Sequence, residues 1–383
     1  MTAQFLHGSE ILTPEGRRGG YGVLVEAGRI RAVLPAYHEA AQRIALPPET
    51  LLAPGFVDIQ VNGGGGILFN DQPTPEGALA IAAAHRALGT TSILPTLITS
   101  DPASMRAAAR AARRAVAAGQ GVLGIHFEGP FLSPERPGVH RPDLIRRAGE
   151  VDLALLENLA AGWEGRVLLT IAPECMPAAD QARLAAAGVI LSVGHSAAPF
   201  DAVRSPVRGI THIFNAMPPP TAREPGLVGA ALTGDFYAGV ILDGIHVHPA
   251  MLRLLLAAKS PDRVMLVSDA MSVAGTELTE FSLQGRRILR RNGRLETADG
   301  VLAGADLSLA QAVRNAVAML GLDVAQAVAM ATAVPADFLG LSDQVGRIAP
   351  GLRADMVLLD AKLSVLGTFL GGAWQGEPGV LGT

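Results

Sequence analysis

Charge is scarce in this chain. Asp, Glu, Lys and Arg make up 17% of its 383 residues, against roughly 25% in an average soluble domain, which leaves composition for a large buried core. There is one cysteine, Cys175. An internal disulfide is thereby excluded, and a reducing cytoplasm fits. No basic neighbour in sequence would stabilise its thiolate, so Cys175 is expected to be a small buried residue rather than a nucleophile. No apolar run reaches the ~18 residues a membrane span needs. The opening MTAQFLHGSE lacks the basic-then-apolar pattern of a secretion signal. Net charge is −4 with no long basic run, so neither a membrane nor a nucleic acid is expected as a partner.

What the chain does have is a regular alternation. Short runs rich in Val, Ile and Leu are followed by Ala-rich stretches with helical spacing. Eight candidate strands are Leu52–Val61, Thr91–Leu97, Val122–Phe127, Val167–Ala172, Val189–Val193, Gly209–Phe214, Ala238–Leu242 and Val264–Val267. Helical segments such as Pro75–Leu88, Pro102–Ala118 and Pro249–Ala258 lie between them. Near-continuous apolar strands alternating with helices indicate a parallel sheet buried on both faces. Eight of them in about 220 residues suggest a closed (β/α)8 barrel. Two more helices, Leu307–Leu320 and Val324–Leu339, would close it after an insertion, Phe281–Val301, whose Arg291-Asn292-Gly293-Arg294 is a hairpin signal.

The ends read differently. Met1–Pro48 holds short strand-like pieces, including Tyr21–Glu26 and Ile30–Leu34, and the tail offers Val345–Ile348 and Asp355–Leu359. Neither end could bury a core alone. Residues 1–50 and 344–383 are therefore expected to pair into a small β-sandwich domain beside a barrel spanning 51–343.

In such a barrel the reactive groups sit at the C-terminal ends of the strands. Reading those ends in order gives Gln60 and Asn62, Glu128, Glu174, His195, His212, Asp243 with His246, and Asp269. One carboxylate and two neutral imidazoles, Glu128, His195 and His212, make a three-ligand site for a divalent metal with a position left for water. Such a metal lowers the pKa of bound water towards about 7 and polarises a carbonyl. Asp269, on the last strand, could take the water's proton and return it to a departing amine; its alternative role is a helix N-cap.

Blander readings apply elsewhere. His7, His38 and His85 are expected to be satisfied core or strand-end groups, and His126, inside a strand, a packing residue. Glu174 divides between lining the pocket and structural support. Gly63-Gly64-Gly65-Gly66 has no GK[ST] after it, which excludes a Walker loop and leaves a flexible turn near the site.

Beyond the residues themselves, His126-Phe127-Glu128-Gly129-Pro130-Phe131, Val193-Gly194-His195-Ser196, Thr211-His212-Ile213-Phe214-Asn215-Ala216-Met217, Asp243-Gly244-Ile245-His246 and Ser268-Asp269-Ala270 resemble the N-acetylglucosamine-6-phosphate deacetylases of the amidohydrolase superfamily. The likeness runs from Pro54-Gly55-Phe56-Val57-Asp58 to Gly346–Asp360, nearly the whole chain. It implies Glu128, His195 and His212 as metal ligands, Asp269 as catalytic acid/base, and His140 as a stabiliser of the oxyanion. Substrate contacts are implied for Gln60, Val139, Asn215, Ala216, Leu302, Ala303 and Gly304, and phosphate contacts for Arg223 and His246. The alternative role for Arg223 is a surface loop arginine. Many amidohydrolases carry His-x-His after the first strand; Gln60 and Asn62 stand there instead, which implies one metal per subunit. Zn2+ leads, with Fe2+ or Mn2+ as alternatives. A homodimer with phosphate contacts across its interface is also implied. The expected reaction is deacetylation of N-acetyl-D-glucosamine 6-phosphate in amino-sugar catabolism or recycling, the galactosamine isomer being the alternative substrate. A non-catalytic protein on the same scaffold is the rival reading, since fold does not fix function.

Overall fold

The computed structural model describes residues 3–38 and 42–382; Met1, Thr2, residues 39–41 and Thr383, all within the expected small domain, lie outside the described residues. Eight parallel strands follow one another in chain order around one sheet. They are β1 (Phe56–Val61), β2 (Thr90–Ile98), β3 (Gly124–Glu128), β4 (Arg166–Ile171), β5 (Ile190–Val193), β6 (Gly209–Ile210), β7 (Tyr237–Val240) and β8 (Val264–Leu266). This is the expected (β/α)8 barrel. Register sets the working ends level, because Ile98 pairs with Glu128 and Glu128 with Thr170.

The helices outside owe their positions to local sequence. Pro75 and Pro102 open two of them, capped by the side chains of Thr74 and Asp101, where a proline costs no hydrogen bond. The second buries Met105, Ala108, Ala112 and Ala115 against the sheet. Small side chains on that stripe let helix and strand approach closely, which accounts for much of the alanine.

Several boundaries differ from the sequence expectation. The run Leu52–Val61 is two strands, broken at Gly55, where a Cβ would fall 2.1 Å from Thr91 Oγ1. Its first half, Leu51–Pro54, leaves the barrel and pairs with Glu10–Thr13 and Met356–Leu359. Val324–Leu339 divides into Val324–Met330 and Ala333–Leu339. Thr332 breaks it, with φ −136° and its hydroxyl donated to Val328 O at 2.8 Å. Val345–Ile348 contains no strand; Gly346 turns there at φ +88°. The strands Val365–Leu370 and Ala373–Trp374 were not anticipated.

Both ends of the chain build a β-sandwich. A four-stranded sheet of N-terminal strands faces a six-stranded sheet that also contains Met356–Leu359 and Val365–Leu370. Leu6, Val23, Leu52, Met356, Leu358 and Phe369 fill the space between. The insertion is a four-stranded sheet, Glu280–Leu283, Arg286–Arg291, Arg294–Thr297 and Leu302–Ala305. Asn292 (φ +51°) and Gly293 (φ +74°) make its expected hairpin turn. Ala305 bridges to Ala270 just beyond β8, so this sheet touches the mouth of the barrel. No described helix is long and apolar enough to cross a membrane.

Leu358, fully buried between the sandwich sheets, gives a direct test of that core. Leu358→Ala should cost about 2–5 kcal/mol and lower the thermal midpoint in a calorimetric scan. An unchanged midpoint would mean the sandwich does not fold as part of the cooperative unit.

Candidate active site

Three donor atoms meet at the top of the barrel. Glu128 ends β3, and His195 and His212 follow β5 and β6. His195 Nε2 lies 3.1 Å and His212 Nε2 2.9 Å from Glu128 Oε1, and the two Nε2 atoms are 3.1 Å apart. All three side chains are at least nine-tenths buried. His195 (φ +48°), His212 (φ +29°) and Asp269 (φ +50°) are left-handed, an uncommon state for such residues. Strained strand ends of this kind concentrate at functional sites, and here they turn side chains inward off strands that have run out of ladder.

Electrostatics shows what this triangle is short of. Burial alone would raise the Glu128 carboxyl, but hydrogen bonds from His195 and His212 outweigh it and hold the group well below its usual range. Burial works to lower His212, and the bond to Glu128 overcomes that and raises it. In this state His212 and Glu128 compensate each other. His195 Nδ1 faces the Arg136 carbonyl at 3.0 Å, an acceptor that can hold the ring proton and free Nε2 as a ligand when a cation binds. Ligand atoms on a tetrahedral cation with bonds of 2.0–2.1 Å lie about 3.3 Å apart. The triangle therefore fits a single divalent ion, whose binding would release protons from the donor atoms. Among the described residues, Glu128, His140 and His195 also bring ligand-type atoms within 4.8 Å of one another. The tighter triangle with His212 is the better donor set; His140 is committed through Nδ1 to Thr99 Oγ1 at 2.7 Å.

Asp269 stands beside the triangle. Gln60 Nε2 and Asn62 Nδ2 both donate to its Oδ1, at 3.2 and 2.7 Å. Burial first, and then the Glu128 charge, push its carboxyl up to about 6. His140 is pushed down to about 3 by burial and by His195, so its imidazole is neutral.

These groups open into a cavity of about 260 Å³, the size of a small ligand rather than a polymer. Val139, His140, Asn215, Ala216, His246, Leu302 and Gly304 all line it. Gln60, Ala303 and Arg223, also expected to touch substrate, are outside this lining: Gln60 donates to Asp269, Ala303 is packed in the apolar cluster with Met271 and Val273, and Arg223 is exposed on its loop. His246 is held by Asp243 Oδ2 at 2.6 Å. Glu174 accepts from Ser196 Oγ (2.6 Å) and Ala197 N (2.8 Å), so it steadies the His195 loop. Asn62, already read at the end of the first strand, lines the cavity as well. Ile98, Ile241 and Met271 line it too, and Thr99 holds His140; none of these four carries a sequence signal for the site. A larger cleft of about 870 Å³ lies between N-terminal strands and the helix carrying Arg314, away from this chemistry.

The packing residues behave as such. His126 is buried within β3, 2.8 Å from Thr170 Oγ1, and burial lowers it to about 4. His85 holds the glycine turn through Gly63 O at 2.9 Å. Cys175 is buried, and burial raises its thiol.

A parallel (β/α)8 barrel with a buried Glu-His-His metal site and an adjacent Asp defines a class of metal-dependent hydrolase, and comparison places the chain within it. Residues 51–375 match the amidohydrolase family, and the chain belongs to that family. It is 43% identical over 329 residues, 84% of its own length and 82% of the relative's, to N-acetylgalactosamine-6-phosphate deacetylase of Shewanella sp. (strain ANA-3). It is 33% identical over 365 residues, 93% and 94% of the two chains, to N-acetylglucosamine-6-phosphate deacetylase of Haemophilus influenzae. The crystal structure of N-acetylglucosamine-6-phosphate deacetylase from Pasteurella multocida superposes with a TM-score of 0.94 at 32% identity, covering 98% of this chain and all of that one.

Glu128→Gln removes the charge that the triangle is built around. The variant should keep its secondary structure by circular dichroism but purify with well under half the wild-type metal content by elemental analysis. Full metal retention would place the donors elsewhere.

Proposed function

We propose that this enzyme hydrolyses the acetamide of an N-acetylhexosamine 6-phosphate, with N-acetyl-D-glucosamine 6-phosphate as the principal substrate, giving D-glucosamine 6-phosphate and acetate. The observation that carries this is the buried Glu128–His195–His212 triangle with Asp269 beside it, in a monosaccharide-sized cavity. Glu128, His195 and His212 would hold one divalent cation, Zn2+ before Fe2+ or Mn2+, which when bound polarises a carbonyl and makes water a better nucleophile.

The chain's own residues handle the proton and the charge. Gln60 and Asn62 occupy Oδ1 of Asp269 and leave Oδ2 to the cavity. Asp269, with its carboxyl near 6, takes a proton from the attacking water and gives it to the amine nitrogen as the C–N bond breaks. Neutral His140, held through Nδ1, offers its other ring nitrogen to the oxyanion that develops on the acetyl oxygen. Asn215, Ala216, Leu302 and Gly304 form the walls against which the sugar is oriented.

A phosphate dianion needs cationic or donor partners. His246 is the one such group expected there that reaches the cavity, and no Lys or Arg lines it among the described residues. Arg223 would supply the missing charge from the second subunit of a homodimer. A cytoplasmic setting agrees with the lone reduced thiol of Cys175.

The 43% identity to a galactosamine-type relative favours a second reading, in which N-acetyl-D-galactosamine 6-phosphate is the better substrate. Steady-state kinetics on both phosphates and on unphosphorylated N-acetylglucosamine separate these. We expect the glucosamine epimer to have the higher kcat/KM, and removal of phosphate to lower it by at least 100-fold, about 2.7 kcal/mol of binding. A higher kcat/KM for the galactosamine epimer would establish the second reading, and indifference to phosphate would remove His246 and Arg223 from the account.

A further inference from the structure

The barrel closes where β1 meets β8, and among the described residues this seam has no regular ladder. β1 pairs with β2 and β8 with β7. Across the seam there is one isolated bridge, Val61 to Ala270. Three backbone bonds accompany it: Asp269 N donates to Gln60 O at 3.1 Å, and Asn62 N and Gly63 N both donate to Ala270 O, at 2.9 and 3.1 Å.

Side chains take over the task. Asp58, Gln60 and Asn62 alternate along and just past β1, so they share a face. Gln60 and Asn62 grip the Asp269 carboxylate itself. Asp58, one pleat lower and fully buried, accepts the backbone N–H of Ser268 at 3.3 Å and that of Gln60 at 3.2 Å. One carboxyl oxygen therefore binds the residue before Asp269 and one of the two residues that clamp Asp269.

We propose that Asp58 is a positioning residue for the hydrolysis: it ties Ser268 to β1 so that Asp269 stands between the Gln60 and Asn62 amides and the donor triangle. This rests on the hydrolytic reading above. Asp58 is an expensive way to fill a barrel interior that usually holds bulky branched side chains. Its Oδ2 is buried without a partner, and burial, followed by the nearby Asp269 charge, pushes its carboxyl up to about 7. A group so placed is not there for the stability it contributes; its effect falls on geometry.

Two variants test this. Asp58→Ala removes the acceptor, whereas Asp58→Asn keeps a carbonyl oxygen for the same two N–H groups. For Asp58→Ala we expect kcat to drop about 10- to 100-fold, as small misplacements of reacting groups do. KM and bound metal should stay within about twofold of wild type. Asp58→Asn should recover most of kcat. The crystal structure of Asp58→Ala should show the 2.7 Å contact between Asn62 and Asp269 broken. Wild-type kcat in Asp58→Ala, an Asp58→Asn variant as slow as Asp58→Ala, or an unmoved Asp269 would each overturn the proposal. Because the structural readout needs no substrate, it judges the positioning role separately from any failure of the wild-type protein to deacetylate.

Discussion

A carboxylate taken out of water is stable only where positive charge or donors meet it, and Glu128 is taken out almost completely. Two imidazole nitrogens within 3.1 Å are its compensation. That requirement organises the top of the barrel. His195 and His212 must arrive from two different strands with their Nε2 atoms turned inward, and the left-handed backbone at both is the consequence. A bound cation suits the same geometry better than a shared proton does, because it can satisfy all three lone pairs together.

The proton-handling half of the site depends on a different device. Asp269 has no imidazole against it; it is held by neutral amides from β1, across a seam where the backbone ladder lapses. Amide donors fix the position of a carboxylate without committing it to the strongly acidic state that a salt bridge would impose. The two carboxylates thus sit in one cavity with opposite shifts, Glu128 held down and Asp269 held up. Such divergence is how one site assigns one carboxylate to ligation and another to proton transfer.

Much of this could be read from residue order. The alternation of apolar runs and alanine-rich segments carried the barrel, because strands buried on both faces cannot look like anything else over eight repeats. The chemistry-bearing residues at strand ends followed from it. What stayed illegible involved residues whose partners are distant in sequence. Nothing near Gly55 says that Leu51–Pro54 belongs to the sandwich; its partners are Met356–Leu359, some 300 residues away. Gln60 reads equally well as a substrate contact or as an anchor until Asp269, 209 residues later, is seen to receive its amide. Arg223 has the right chemistry for phosphate, yet its loop is exposed, so one chain cannot show what it reaches. Thr99 carries no motif of its own and shows its use only through His140; Asp58 belongs to a run that opens the family likeness, yet its use shows only through Ser268.

The whole account turns on one cation held by Glu128, His195 and His212. The direct test is acetate release from N-acetylglucosamine 6-phosphate by the purified protein, before chelation, after removal of metal, and after return of one equivalent of Zn2+. Activity lost with the metal and restored at about one ion per chain is the predicted result. Turnover that survives complete metal removal would contradict it.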